Sequence, residues 1–212
     1  MLFRSDLKFT NAESDALAPS IAAYREGDVR KAGRLLPEGF VAQSNSAKAY
    51  VISLRLSGGQ FESARSALVE LQGTGQGMVL EEWLAAIRFE SYPSINAPTN
   101  ATAWMARSYT KQSQGDPRSA LEAARSAVRR SPGFGFGWAR VAELELGFGE
   151  RQTVKVALAK AREFVPKCGA IVIVEGFDTL DRGQPKSSLE AFDRAIGLDD
   201  LNGLAWLGRG LA

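Results

Sequence analysis

One spacing constrains this chain more than any other feature. Trp104, Trp138 and Trp206 fall on a lattice of 34 residues, as do Gly115, Gly149 and Gly183, then Ala127, Ala161 and Ala195, and then Pro132, Pro166 and Asp200. A fixed period of this length marks a supersecondary unit that cannot bury its apolar face alone and must stack on copies of itself. The sequence therefore predicts an all-α, right-handed αα-superhelix of antiparallel helical hairpins.

The clearest unit runs over residues 101–134. Ala103 and Trp104 open an apolar-periodic run, Gly115-Asp116 breaks it, and Pro117 suits the first turn of a second helix, with Asp116 as its N-cap. Ala120, Leu121, Ala124, Ala127 and Val128 give that helix one apolar face, and Ser131-Pro132-Gly133 ends it. Residues 135–168 repeat the plan, with inward Val154, Ala157, Leu158, Ala161 and Phe164. Residues 169–202 repeat it again, and 203–212 match the opening of a fourth unit. The run Ile171-Val172-Ile173-Val174 reads locally as a strand, but its phase in the repeat predicts helix. The last helix stops on apolar and small residues with no polar cap, so a piece of a longer, bacterial-type array is expected.

Residues 1–92 form a more degenerate version of the pattern. Ala16 to Leu36 reads as one hairpin around Gly27-Asp28, and Lys48 to Leu71 as another around Gly58-Gly59. Gln72 to Gly77 reads as a flexible break. Met78 to Tyr92 reads as a strong helix, unpaired or mismatched, and as the subdomain boundary. Residues 93–100, bracketed by Pro93 and Pro98, form a linker loop ahead of the regular array at 101–212.

These residues resemble a tetratricopeptide repeat. The family's first aromatic falls on Trp104, Trp138 and Trp206, and its small residue in the first helix on Ser108, Ala142, Gly176 and Gly210. Its small residue in the second helix falls on Ala120, Val154 and Ser188, its later alanine on Ala127, Ala161 and Ala195, and its terminal proline on Pro132 and Pro166. Arg107 and Glu175 depart from it where leucine is usual. The resemblance implies a non-catalytic scaffold whose first helices line a concave groove that holds a segment of another protein. At the groove phases stand Met105, Tyr109, Phe136, Ala139, Arg140, Glu143, Ile173, Val174, Phe177 and Asp181. The Lys and Asn set that grips chaperone C-termini is missing. Other implied settings are a repeat scaffold within a larger multidomain enzyme or envelope assembly protein, and self-association through uncapped ends. Trp138, read as a core residue, should cost about 3–5 kcal/mol on replacement by alanine.

Composition narrows the chemistry. With no histidine and one cysteine, Cys168, the chain lacks the commonest general base, cannot form an internal disulfide and cannot build a Cys/His zinc site. No catalytic, metal or cofactor residue is assigned. With 26 basic and 24 acidic residues, the net charge of +2 gives no global drive toward nucleic acid or an anionic membrane. No apolar run reaches the length of a membrane span, and Met1 to Lys8 lack the apolar core of a signal peptide. The lone cysteine fits a reducing, cytoplasmic setting. Gly133-Phe134-Gly135-Phe136-Gly137 follows a helix, so it reads as an inter-repeat turn with two packing aromatics rather than a phosphate loop. Arg118, Arg125, Arg129 and Arg130 read as a solvated outer face. Neighbouring carboxylates such as Glu143 and Glu145 do not face one another across a cleft.

Overall fold

The computed structural model describes residues 2, 6–93 and 97–212; residues 94–96 of the expected linker and most of the first five residues lie outside these. Among the described residues there are thirteen α-helices and no strand. They are α1 (Asn11–Ala16), α2 (Ala18–Arg25), α3 (Val29–Arg34), α4 (Asn45–Ser57), α5 (Phe61–Leu68), α6 (Gly75–Ile87), α7 (Ala101–Ser113), α8 (Pro117–Arg130), α9 (Gly135–Gly147), α10 (Arg151–Phe164), α11 (Gly169–Asp181), α12 (Pro185–Leu198) and α13 (Gly203–Leu211). Hairpins α2–α3, α4–α5, α7–α8, α9–α10 and α11–α12 follow one another, with α13 packed on α11 and α12.

The turns explain why the chain folds back at each repeat. After α2, α4, α7, α9 and α11 comes a glycine with positive φ: Gly27, Gly59, Gly115, Gly149 and Gly183, at φ +71° to +92°. The N–H of the following residue then donates to the carbonyl five positions earlier, as in Asp116 to Lys111 (2.9 Å) and Gln184 to Thr179 (3.2 Å). This left-handed cap satisfies carbonyls that the helix end leaves open, and glycine adopts it without steric cost. Asp116 then caps α8 by accepting from the Ser119 N–H at 3.0 Å.

Close packing follows from the small residues. Ser108, Ala142, Ala120, Val154, Ser188, Ala127, Ala161 and Ala195 are all completely buried. At Gly176 a Cβ would stand 2.7 Å from the Phe192 ring, so the missing side chain is the socket in which that ring sits. The strand-prone run Ile171–Val174 is inside α11, where Ile171, Ile173 and Val174 are buried; packing overrides local preference here. The departures at 107 and 175 are met by charge pairs between helices, Arg107 with Glu82 at 2.7 Å and Glu175 with Arg162.

Three expectations need correction. The break at 72–77 is short, because α6 already starts at Gly75, where Thr74 caps it by accepting from the Gly77 N–H at 3.0 Å. Nor is α6 unpaired: it packs on α4, α5 and α7. Trp138 is only half-buried, and its Nε1 donates to the Pro132 carbonyl at 2.7 Å. Trp206 repeats this bond to the Asp200 carbonyl at 2.9 Å. The indole thus ties a helix to the turn before it, while Phe134, 1% exposed, fills the core beneath.

One helix end breaks the glycine rule. After α6 the left-handed position is Phe89, at φ +56°, and the Glu90 N–H donates to the Ala85 carbonyl at 2.9 Å as at the other turns. Its side chain is 81% exposed, so no contact offsets the strain, which for a bulky residue is about 1–2 kcal/mol. Phe89→Gly should therefore raise stability by roughly 0.5–1 kcal/mol, read as a higher denaturant midpoint at unchanged slope. In the same assay Phe134→Ala should cost about 3–5 kcal/mol and Trp138→Ala about 1–3 kcal/mol, the sum of a partial packing loss and one hydrogen bond. An equal cost for the two would place Trp138 in the core after all.

Candidate functional site

The first helices of the regular units, α7, α9, α11 and α13, present the face on which the groove residues stand. Part of that face is covered by the chain itself. The α2–α3 hairpin lies against it, with the Tyr24 ring tilted against Phe136 at 5.3 Å and edge-on to Tyr50 of α4 at 5.4 Å. Its turn seats on the joint between α10 and α11. There Glu26 accepts from the Lys167 N–H at 2.7 Å through its carbonyl, and from the Lys167 ammonium at 2.7 Å through its carboxylate. Arg30 of α3 reaches Asp200 at 3.1 Å and Asp199 at 3.7 Å, beyond the end of α12. A Cβ on Gly27 would stand 2.8 Å from the Cys168 backbone nitrogen and 2.9 Å from the Val165 Cβ, and its φ of +92° also excludes other residues.

The groove residues are divided by this closure. Met105 and Phe136 are buried, and Tyr109 is partly so. Arg140 is 2% exposed and fully engaged. Its guanidinium stacks 4.0 Å above the Tyr109 ring and donates to Ser108 Oγ at 3.1 Å, to Glu143 Oε1 at 2.9 Å and to Gln112. Burial pushes the Tyr109 hydroxyl up to about 12, against the opposing pull of Arg140. What remains of the face is an open trough of about 770 Å³, lined by Glu143, Ile173, Val174, Phe177, Asp181 and Leu204 among others. Phe177 is half-buried, edge-on to Phe192 at 4.9 Å. Asp181 is exposed and paired with Arg151. The trough therefore has an apolar floor and a charged rim. Leu204 is not among the residues expected from the sequence, although it repeats the phase of Phe136.

The other candidates resolve into structural contacts. Arg125 is engaged by Glu122 at 2.7 Å and by buried Glu145 at 2.6 Å. Cys168 is buried under the α2–α3 turn, and burial pushes its thiol up to about 11. Among the described residues no group of three or more His, Cys, Asp or Glu side chains could hold a metal ion, and no helix is long and apolar enough to cross a membrane.

No protein-family model and no curated protein matches the chain. Solved structures do. A tetratricopeptide repeat protein from Parabacteroides merdae ATCC 43184 aligns with 94% of this chain and 83% of its own, with a TM-score of 0.59 at 12% identity. The fold is that of a tetratricopeptide repeat array. Two further alignments, each over 94% of this chain, are looser. TTC0263, a thermophilic tetratricopeptide repeat protein of Thermus thermophilus, is covered over 98% of its length at 16% identity with a TM-score of 0.43. The TPR2AB-domain:pHSP90 complex of yeast Sti1 is covered over 95% at 13% identity, also with a TM-score of 0.43. Within this array the N-terminal hairpin packs against residues of α9 and of the joint before α11.

The closure of that face has a built-in reporter. A thiol reagent should leave Cys168 unmodified in the folded protein, because the thiolate is both buried and disfavoured. Gly27→Val should cost about 2–4 kcal/mol through clash and backbone strain and expose Cys168 to the reagent before global unfolding. Unchanged labelling in that variant would show that the turn does not cover the thiol.

Proposed function

We propose that this chain is a non-catalytic protein-interaction scaffold that seats a segment of another protein in the trough formed by α9, α11 and α13. The observation that carries the reading is that trough itself: Phe177 and Leu204 stand at an apolar floor, with buried Ile173 and Val174 directly behind them, and Glu143 and Asp181 are on the rim. The fold supports it in general terms, because a stacked array offers a stiff curved face rather than an enclosed pocket. An apolar floor with sparse charges suits side-chain anchors from a peptide or a helix. The role falls on Glu143, Phe177 and Asp181 of the groove residues, with Ile173 buried behind them. Met105, Tyr109, Phe136 and Arg140 lie instead beside the α2–α3 hairpin.

Capture of partners from a lysate of the source cells, with the purified chain as bait, tests this. Phe177→Ala and Asp181→Lys, each verified as folded by circular dichroism, should lose the specifically retained protein. A central anchor is worth about 2 kcal/mol or more, roughly thirtyfold in affinity. Equal recovery by bait and both variants would reject the trough as the site.

A further inference from the structure

A small cavity of about 190 Å³ opens between α3 and the end of α4. Arg30, Arg34 and Arg55 line it together with Ser57 and Gln60, and no carboxylate does. Among the described residues Arg34 and Arg55 form no ion pair. Arg30 is only partly engaged. Its Nη2 donates to Asp200 at 3.1 Å, while its Nε is buried without a hydrogen bond, the Asp199 carboxylate standing 3.7 Å away. Its Nη1 lies toward the cavity wall at Gly58, where an added Cβ would stand 3.7 Å from it. Closing a helix end does not account for these cations. The Leu54 and Arg55 carbonyls at the end of α4 already accept from the Gly58 and Gln60 N–H groups, each at 2.9 Å. Like charges around one hollow repel each other, and a counter-charge among them removes that cost. Gly33 leaves room for it: this residue of α3 is on the cavity lining, and a Cβ there would meet nothing within 4 Å. Glycine inside a helix weakens it; what it provides here is space.

We infer that this cavity is an anion site that takes a phosphate group, either inorganic phosphate or the phosphate end of a small monoester. Guanidinium forks match the oxygens of a phosphate two at a time. Charge decides for phosphate over a carboxylate. A phosphate group carries about −1.5 to −2 near neutral pH, which balances the two guanidiniums that have no acid beside them; a carboxylate balances one. Size fixes how much of the ligand enters. Pockets that enclose drug-sized molecules run to about 300–1,000 Å³, so this one holds the phosphate and leaves the rest of a monoester outside. The buried Arg30 Nε marks the place where an acceptor is missing, and an unmet buried donor is costly. Bound there, the anion joins α3 to α4. The site stands independently of the trough reading, because the two linings share no residue.

Isothermal titration calorimetry on the full chain tests the inference, with sodium phosphate and glycerol phosphate titrated separately near neutral pH at constant ionic strength. Each should bind saturably at one site per chain. Arg34→Gln and Arg55→Gln should each weaken binding by roughly tenfold or more. Gly33→Leu, which fills the cavity, should abolish it with the thermal midpoint unchanged or raised. Arg118→Gln, outside this cavity, should leave binding as it is. Acetate, with a single charge, should bind roughly tenfold more weakly than phosphate. Tighter binding of glycerol phosphate would support a monoester as the ligand, and equal or tighter binding of phosphate the free ion. No saturable binding of either anion would overturn the inference. So would equal affinity for acetate, or binding indifferent to the arginine and Gly33 variants.

Discussion

Two helices joined by a tight turn have more apolar surface than they can cover between themselves. Everything else in this structure follows from how that surplus is met. Each hairpin borrows a wall from the next, and the loan works only if the helices come close. Residues with little or no side chain at 108, 142 and 176, and at 120, 127, 161 and 195, allow that approach. Larger groups such as Phe134 and Phe192 fill the spaces between. Ordering so many backbones carries a large entropic cost, and no single unit could offset it.

The same surplus explains why the N-terminal hairpin does not simply extend the stack outward. Its Tyr24, Leu17 and Ile21 share one apolar cluster with α7, α9 and α11, so the chain buries part of its own inner face. That choice divides a continuous groove into a covered stretch and an open one. Arg140 marks the boundary. A guanidinium buried this deeply is tolerable because Ser108, Gln112, Glu143 and the Tyr109 face satisfy it together. Glu143 supplies the balancing charge, and the three neutral groups complete the contacts.

Much of the fold is legible in the sequence because the repeat speaks at several positions at once. A single phase assignment places α7 to α13, and it overrides the β-branched run in α11. The N-terminal half is harder to read, since its glycines keep only an approximate period and Phe89 stands where a glycine would have signalled a helix end. Half of the groove set loses its solvent exposure for a reason no periodicity can express. The covering hairpin lies far away in sequence, and its fit depends on Gly27 meeting Val165 and Cys168 in space. Trp138 reads as core in the sequence, wrongly, because a recurring aromatic can serve a joint as well as an interior.

That joint carries a wider consequence. The bond from indole to turn carbonyl spans only six residues, at 132–138 and again at 200–206. Both of its partners therefore travel together whenever a 34-residue block is duplicated or deleted. A gene could lengthen or shorten this array by whole blocks and carry this joint along with each block that holds it, with no new contact to invent.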